Sequence, residues 1–147
     1  MFNTLEPVNP SSFQIAWEST LKCNLDCSYC GDGHDNKQPH PDLLDNLSTI
    51  DFIIDYVSII METRKDKRAG LNVQGGESLF HPKIIEILTY ANSRVDKLDW
   101  ELQINTITNA VVKEKVWQKL VPLISFFTVR FHSESSFSQQ ELVRKNI

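Results

Sequence analysis

The sequence predicts an α/β domain in which parallel strands alternate with helices, arranged as an open sheet or a barrel. Three observations carry that expectation. Short runs of branched and aromatic residues recur along the chain, each followed by a stretch with helical apolar spacing. The residues able to do chemistry gather in the joins after those runs, at what would be the carboxyl ends of the strands. The length of 147 residues suffices for one core but falls short of the about 250 typical of a closed eight-unit barrel. The chain therefore reads as about four strand–helix units, incomplete at the carboxyl end. A lead-in over residues 1–13 precedes a core spanning 14–147.

Residues 14–20, QIAWEST, form the first expected strand, which feeds the loop CNLDCSYC and then Gly31 and Gly33. PDLLDN reads as a connector. Ser48 with Asp51 makes a capping box for a helix reaching about Arg64, with Ile50, Ile53, Ile54, Val57, Ile60 and Met61 on one face. After the charged turn RKDKRAG, LNVQ is the second strand and ends at Gly75 and Gly76. Pro82 suits the first turn of a helix to about Arg94, whose buried stripe is Ile84, Ile85, Leu88 and Ala91. WELQINTIT, residues 100–108, is the third strand. Asn109 can then cap a helix carrying Val112, Val116, Trp117 and Leu120, which Pro122 ends. ISFFTVRFH, residues 124–132, is the fourth strand, and Ser138 with Glu141 offers a capping box for the last helix.

Composition narrows the function. Fifteen basic against nineteen acidic side chains give a net charge of -4, with the cations scattered, so nucleic acid is not an expected partner. MFNTLEPVNP lacks a basic start and an apolar core, while FIIDYVSIIM is broken by Asp55 and too short to span a bilayer. A soluble, cytoplasmic protein without a membrane partner is expected. All three cysteines, Cys23, Cys27 and Cys30, fall within the eight residues CNLDCSYC, which argues for metal binding in a reducing compartment.

Three thiolates in one loop can hold three irons of a cubane cluster and leave the fourth open to a small molecule. The spacing CxxxCxxC differs from the CxxCxxC of ferredoxins and from paired CxxC zinc ribbons. With Tyr29 before the last cysteine, followed by GGES and HP, the chain resembles the radical S-adenosylmethionine superfamily over most of its length. The resemblance implies the first part of a partial, TIM-like (β/α) barrel. It also implies a 4Fe-4S cluster on Cys23, Cys27 and Cys30, whose open iron is chelated by the amino and carboxylate groups of S-adenosylmethionine. Tyr29 would lie near the adenine. GGESLFHP is similar to the family's GGEPLLHP, so Gly75, Gly76 and Glu77 would bind the methionyl amino group, with Ser78 in the place of a proline. ITNA is similar to the TTNG of some members, which makes Thr108 and Asn109 further cofactor contacts. At the end of the fourth strand Arg130, His132 and Ser133 are available for a ribose contact, and His132 is the candidate taken. The implied activity is reductive cleavage of S-adenosylmethionine to a 5'-deoxyadenosyl radical that abstracts hydrogen from a small-molecule or peptide substrate. An electron donor such as flavodoxin or ferredoxin would supply the electron.

Blander readings stand beside these. Zinc held by the three cysteines and His34, which follows Cys30 with three residues between, would make the chain a non-catalytic binding module. A truncated relic could keep a cluster without turnover. Glu77 could simply favour the positive end of the following helix, Asn109 could be a plain cap and Thr108 an ordinary strand residue. His81 reads as a turn residue, and His34 and His40 as solvated loop residues.

Overall fold

The structure is a computed structural model and describes residues 13–30 and 38–147. Four strands, β1 (Phe13–Thr20), β2 (Arg68–Gly75), β3 (Glu101–Thr108) and β4 (Phe126–Val129), form one sheet in the order β1-β2-β3-β4. Every neighbouring pair is parallel, so chain order equals spatial order and each connection must cross back over the sheet. The crossings carry α1 (Leu43–Thr63), α2 (Ile84–Val95) and α3 (Glu114–Leu120), and α4 (Phe137–Asn146) follows β4. Single 3-10 turns sit at Ser78–Phe80 and Val121–Leu123. The α/β class and its parallel alternation are thus as the sequence predicts.

Alternation within the strands decides where the core lies. Trp17, Leu71, Val73, Leu102 and Ile104 point to one face, where they meet Ile50, Ile54, Val57 and Met61 of α1 and Ile84, Ile87, Leu88 and Ala91 of α2. The intervening residues Gln14, Ala16, Asn72, Gln74, Asn105, Ile107, Phe126 and Thr128 line a cavity of about 320 Å³ on the opposite face. A sheet covered on both faces would read as unbroken apolar runs; here polar residues alternate, and among the described residues the helices pack on one face.

Several boundaries differ from the expectation, each for a local reason. Residues 43–46 of the expected connector are the first turn of α1, because Asp42 accepts the Asp45 N–H at 2.8 Å and takes the cap expected of Ser48. Helix α2 starts at Ile84 rather than at Pro82, since His81 and Pro82 belong to the chain leaving the 3-10 turn. Helix α3 starts at Glu114 after Lys113, which makes no side-chain cap, so Asn109 caps no helix. Strand β4 stops at Val129 because its partner β3 ends at Thr108, the residue paired with Val129; His132 lies beyond the strand. Helix α4 is capped by Ser136 with Gln139 in a complete capping box, not by Ser138 with Glu141. Among the described residues, no helix is long and apolar enough to cross a membrane. His34, Gly31 and Gly33 lie outside the described residues.

Candidate functional site

Four joins meet at the carboxyl ends of the strands. Cys23, Leu25, Cys27, Tyr29 and Cys30 after β1, Gly76 and Glu77 after β2, Thr108 and Asn109 from the end of β3, and Arg130 and His132 after β4 line one cavity of about 270 Å³. All the cysteines and most of the other sequence-predicted site residues are therefore together. Gly75 lies one residue back from this wall.

The two glycines are required by the chain's own backbone. Gly75 has φ 129°, a conformation open to glycine, and a Cβ there would strike the Thr20 carbonyl. At Gly76 a Cβ would strike the carbonyls of Leu21 and Lys22. Their absence lets the exit of β2 lie against the exit of β1, where the Gly76 N–H donates to Thr20 O at 2.9 Å and the Glu77 N–H to Lys22 O at 2.8 Å. Cys23 is consequently held at a fixed place relative to Glu77.

Glu77 is fully buried. Its Oε1 accepts the Leu79 N–H at 3.1 Å and the Thr108 hydroxyl at 2.8 Å, and its Oε2 accepts the Asn109 N–H at 2.7 Å. The carboxylate thus caps the 3-10 turn and also ties β2 to β3. Burial pushes its pKa up, and the three donors pull against that. Among the described residues no cation pairs with it.

The residue after Asn109 is unusual. Ala110 is fully buried with φ 54°, the left-handed region that favours glycine, and its N–H donates to Thr108 Oγ1 at 2.9 Å. Asn109, freed from capping, accepts the Val111 N–H through Oδ1 at 2.9 Å and donates through Nδ2 to Asn24 Oδ1 at 2.8 Å.

The cysteine loop is anchored from two sides. Asn24 Nδ2 donates to Val111 O at 2.7 Å, which joins the loop to the β3 exit. Glu134 accepts both the Ser28 N–H at 2.8 Å and the Ser28 hydroxyl at 2.6 Å, which joins it to the β4 exit; those bonds hold the Glu134 carboxyl below its usual range. His132 Nδ1 lies 2.6 Å from the Tyr29 hydroxyl and 3.4 Å from Cys27 Sγ, with the Tyr29 and His132 rings within 5° of parallel. Burial, and then Arg130, lower the His132 pKa and favour the neutral ring. Asn24, Ser28 and Glu134 were not singled out in the sequence. Asn24 sits inside CNLDCSYC and so carried a positional signal, whereas Glu134 finds its partner 106 residues away and carried none.

All three cysteines are free thiols. Burial raises the Cys23 pKa, opposed by the Leu25 N–H, which donates to its sulfur at 3.4 Å. Among the described residues no three His, Cys, Asp or Glu side chains group closely enough to hold a metal ion. A cubane cluster differs from a single ion in this respect, since each cysteine ligates a different iron on a separate corner. Three thiols on one cavity, with a backbone donor aimed at one sulfur, are a donor set that fits such a cluster.

Two other histidines are structural in part. His81, only 2% exposed, accepts the Lys83 N–H at Nδ1 and donates from Nε2 to Pro41 O at 2.9 Å, which fixes its tautomer. His40 is not simply solvated: its Nδ1 lies 3.0 Å from the Thr20 hydroxyl and its ring packs edge-on to His81.

No protein-family model and no curated protein matches this chain, so the functional argument rests on the geometry of the site.

Proposed function

We propose that the chain is a radical S-adenosylmethionine enzyme, or the amino-terminal part of one. The observation that carries the reading is a single cavity in which the thiols of a CxxxCxxC loop face a fully buried carboxylate that no described cation neutralises. A buried carboxylate without a counter-charge is costly, and a ligand ammonium would complete its environment. On the same wall, the Arg130 guanidinium has no side-chain partner among the described residues and suits a carboxylate. Glu77 and Arg130 together match the two charges of an amino-acid zwitterion, the methionyl part of the cofactor.

Cys23, Cys27 and Cys30 would hold a 4Fe-4S cluster. When bound and reduced, it supplies one electron to the sulfonium of S-adenosylmethionine, giving methionine and a 5'-deoxyadenosyl radical that takes a hydrogen atom from substrate. The chain's own residues bind and orient. His132 Nδ1 lies 3.4 Å from Cys27 Sγ, next to the thiol that must lose its proton to ligate iron. Tyr29, held by His132, offers a flat face to a purine. Asn109 and Thr108 act at one remove, by fixing Glu77 and the cysteine loop rather than by reaching the ligand first.

Anaerobic reconstitution with iron and sulfide, followed by dithionite and S-adenosylmethionine, tests the reading. Brown protein absorbing at about 400 nm and releasing 5'-deoxyadenosine is expected, with both colour and product lost or severely reduced in Cys27→Ala. Colourless protein with stoichiometric zinc would sink it, and a cluster without product would point to a relic.

A further inference from the structure

The open face of the sheet carries a feature that the cofactor site does not use. Gln14, Asn72 and Asn105 stand side by side across β1, β2 and β3 and form a chain of amides. Asn105 Nδ2 donates to Asn72 Oδ1 at 3.2 Å, and Asn72 Nδ2 donates to Gln14 Oε1 at 3.1 Å. Gly70 makes room for the ladder, since a Cβ there would run into the Gln14 amide. Linked amides polarise one another, so the ladder strengthens the hydrogen-bonding power left at its free end.

That end is at Asn105. Its Oδ1 and its second N–H have no partner among the described residues, and Asn105 lines the cavity of about 320 Å³. Phe126 is its register partner on β4, and Thr128 lies on the same wall with its hydroxyl unpaired among the described residues. One acceptor and one donor on a planar group, beside an aromatic face, complement another amide edge to edge. Among the described residues no charged side chain lines this cavity, so an ionised group seated there would lose water without gaining a counter-charge. Ile107 belongs to the walls of both cavities, which puts whatever sits on the ladder next to the cysteine site.

We propose that this cavity binds a neutral amide, a small carboxamide or a peptide bond, and that the Asn105 end of the ladder selects it against carboxylates. The proposal rests on the preceding reading for calling that amide the substrate, but its binding step requires no cluster. The unaltered chain, labelled with 15N, is titrated with three probes: benzamide, N-acetylphenylalanine amide, and benzoate, which has the ring of benzamide and a carboxylate but no amide. Either neutral probe should shift the side-chain amide signals of Asn72 and Asn105. Benzoate should bind about tenfold or more weakly than the tighter of the two neutral probes, the loss expected when an unpaired charge replaces a satisfied amide. Benzamide binding alone assigns a small carboxamide, and binding of the peptide amide alone assigns a peptide. Asn105→Asp should abolish the preference for the amide. Absence of side-chain shifts with both neutral probes, or equal affinity for the amide and the carboxylate, would overturn the proposal. The comparison of probes decides even where the variant fails to fold. Iron content and 5'-deoxyadenosine, measured separately, tell a failure here from a failure of the cofactor reading.

Discussion

A carboxylate sealed at the exit of β2 needs compensation, and Glu77 obtains it from three donors without a cation. Because burial raises its folded pKa above the ordinary 4.5, the unfolded chain releases this proton first. The unliganded protein should therefore lose stability from Glu77 as pH rises from about 4.5 up through the folded pKa. Urea midpoints across that range should fall for the unaltered chain relative to Glu77→Gln, which cannot titrate; parallel curves would contradict the assignment. The same substitution should weaken S-adenosylmethionine binding by about tenfold or more in calorimetry, because one charge-assisted contact is lost. Ala110 is the other residue under constraint. Ala110→Val places a branched side chain at φ 54° in a fully buried position and should cost about 2 kcal/mol or more in chemical denaturation. Ala110→Gly should stay within about 1 kcal/mol, as relieved strain offsets the lost methyl. At this scale the motif residues were legible, since cysteine spacing and a Gly-Gly-Glu run are read directly. Of the anchors, Asn24 is marked only by its place inside the cysteine loop and Glu134 by nothing, because what they hold is far away in the chain.

Elements were legible in kind and less so at their ends. The apolar stripe of α1 reads from Ile50 to Met61, yet the start expected at Ser48 lies inside the helix. The helix is capped at Asp42, which accepts the Asp45 N–H. Asp42→Ala should cost about 1 kcal/mol, whereas Ser48→Ala, within an exposed helical turn, should change stability by less than about 0.5 kcal/mol. Denaturant midpoints of the two variants check this, and a reversed order would restore the later start. At α4 too the cap lies earlier than expected, at Ser136 with Gln139 rather than at Ser138 with Glu141. At β4 the end differs from the expectation for a non-local reason: a strand stops where its neighbour stops, and the pairing of Val129 with Thr108 cannot be seen from ISFFTVRFH.

For the whole molecule, parallel order is what turns separate motifs into one site. With four strands pointing the same way, every join after a strand falls at the same end of the sheet, so the cysteine loop, Gly76, Glu77, Asn109 and His132 have to meet there. That convergence was legible because strand–helix alternation implies it. The polar opposite face was not, since the amides Gln14, Asn72 and Asn105 read singly as ordinary exposed strand residues. The central claim is that the thiols and the buried carboxylate serve one cofactor pair. Electron paramagnetic resonance of the reconstituted, reduced chain with and without S-adenosylmethionine tests it most directly. A reduced-cluster signal that changes shape when S-adenosylmethionine is added, in the unaltered chain but much less in Glu77→Gln, is the expected result. A signal indifferent to S-adenosylmethionine, or no iron signal at all, would contradict it.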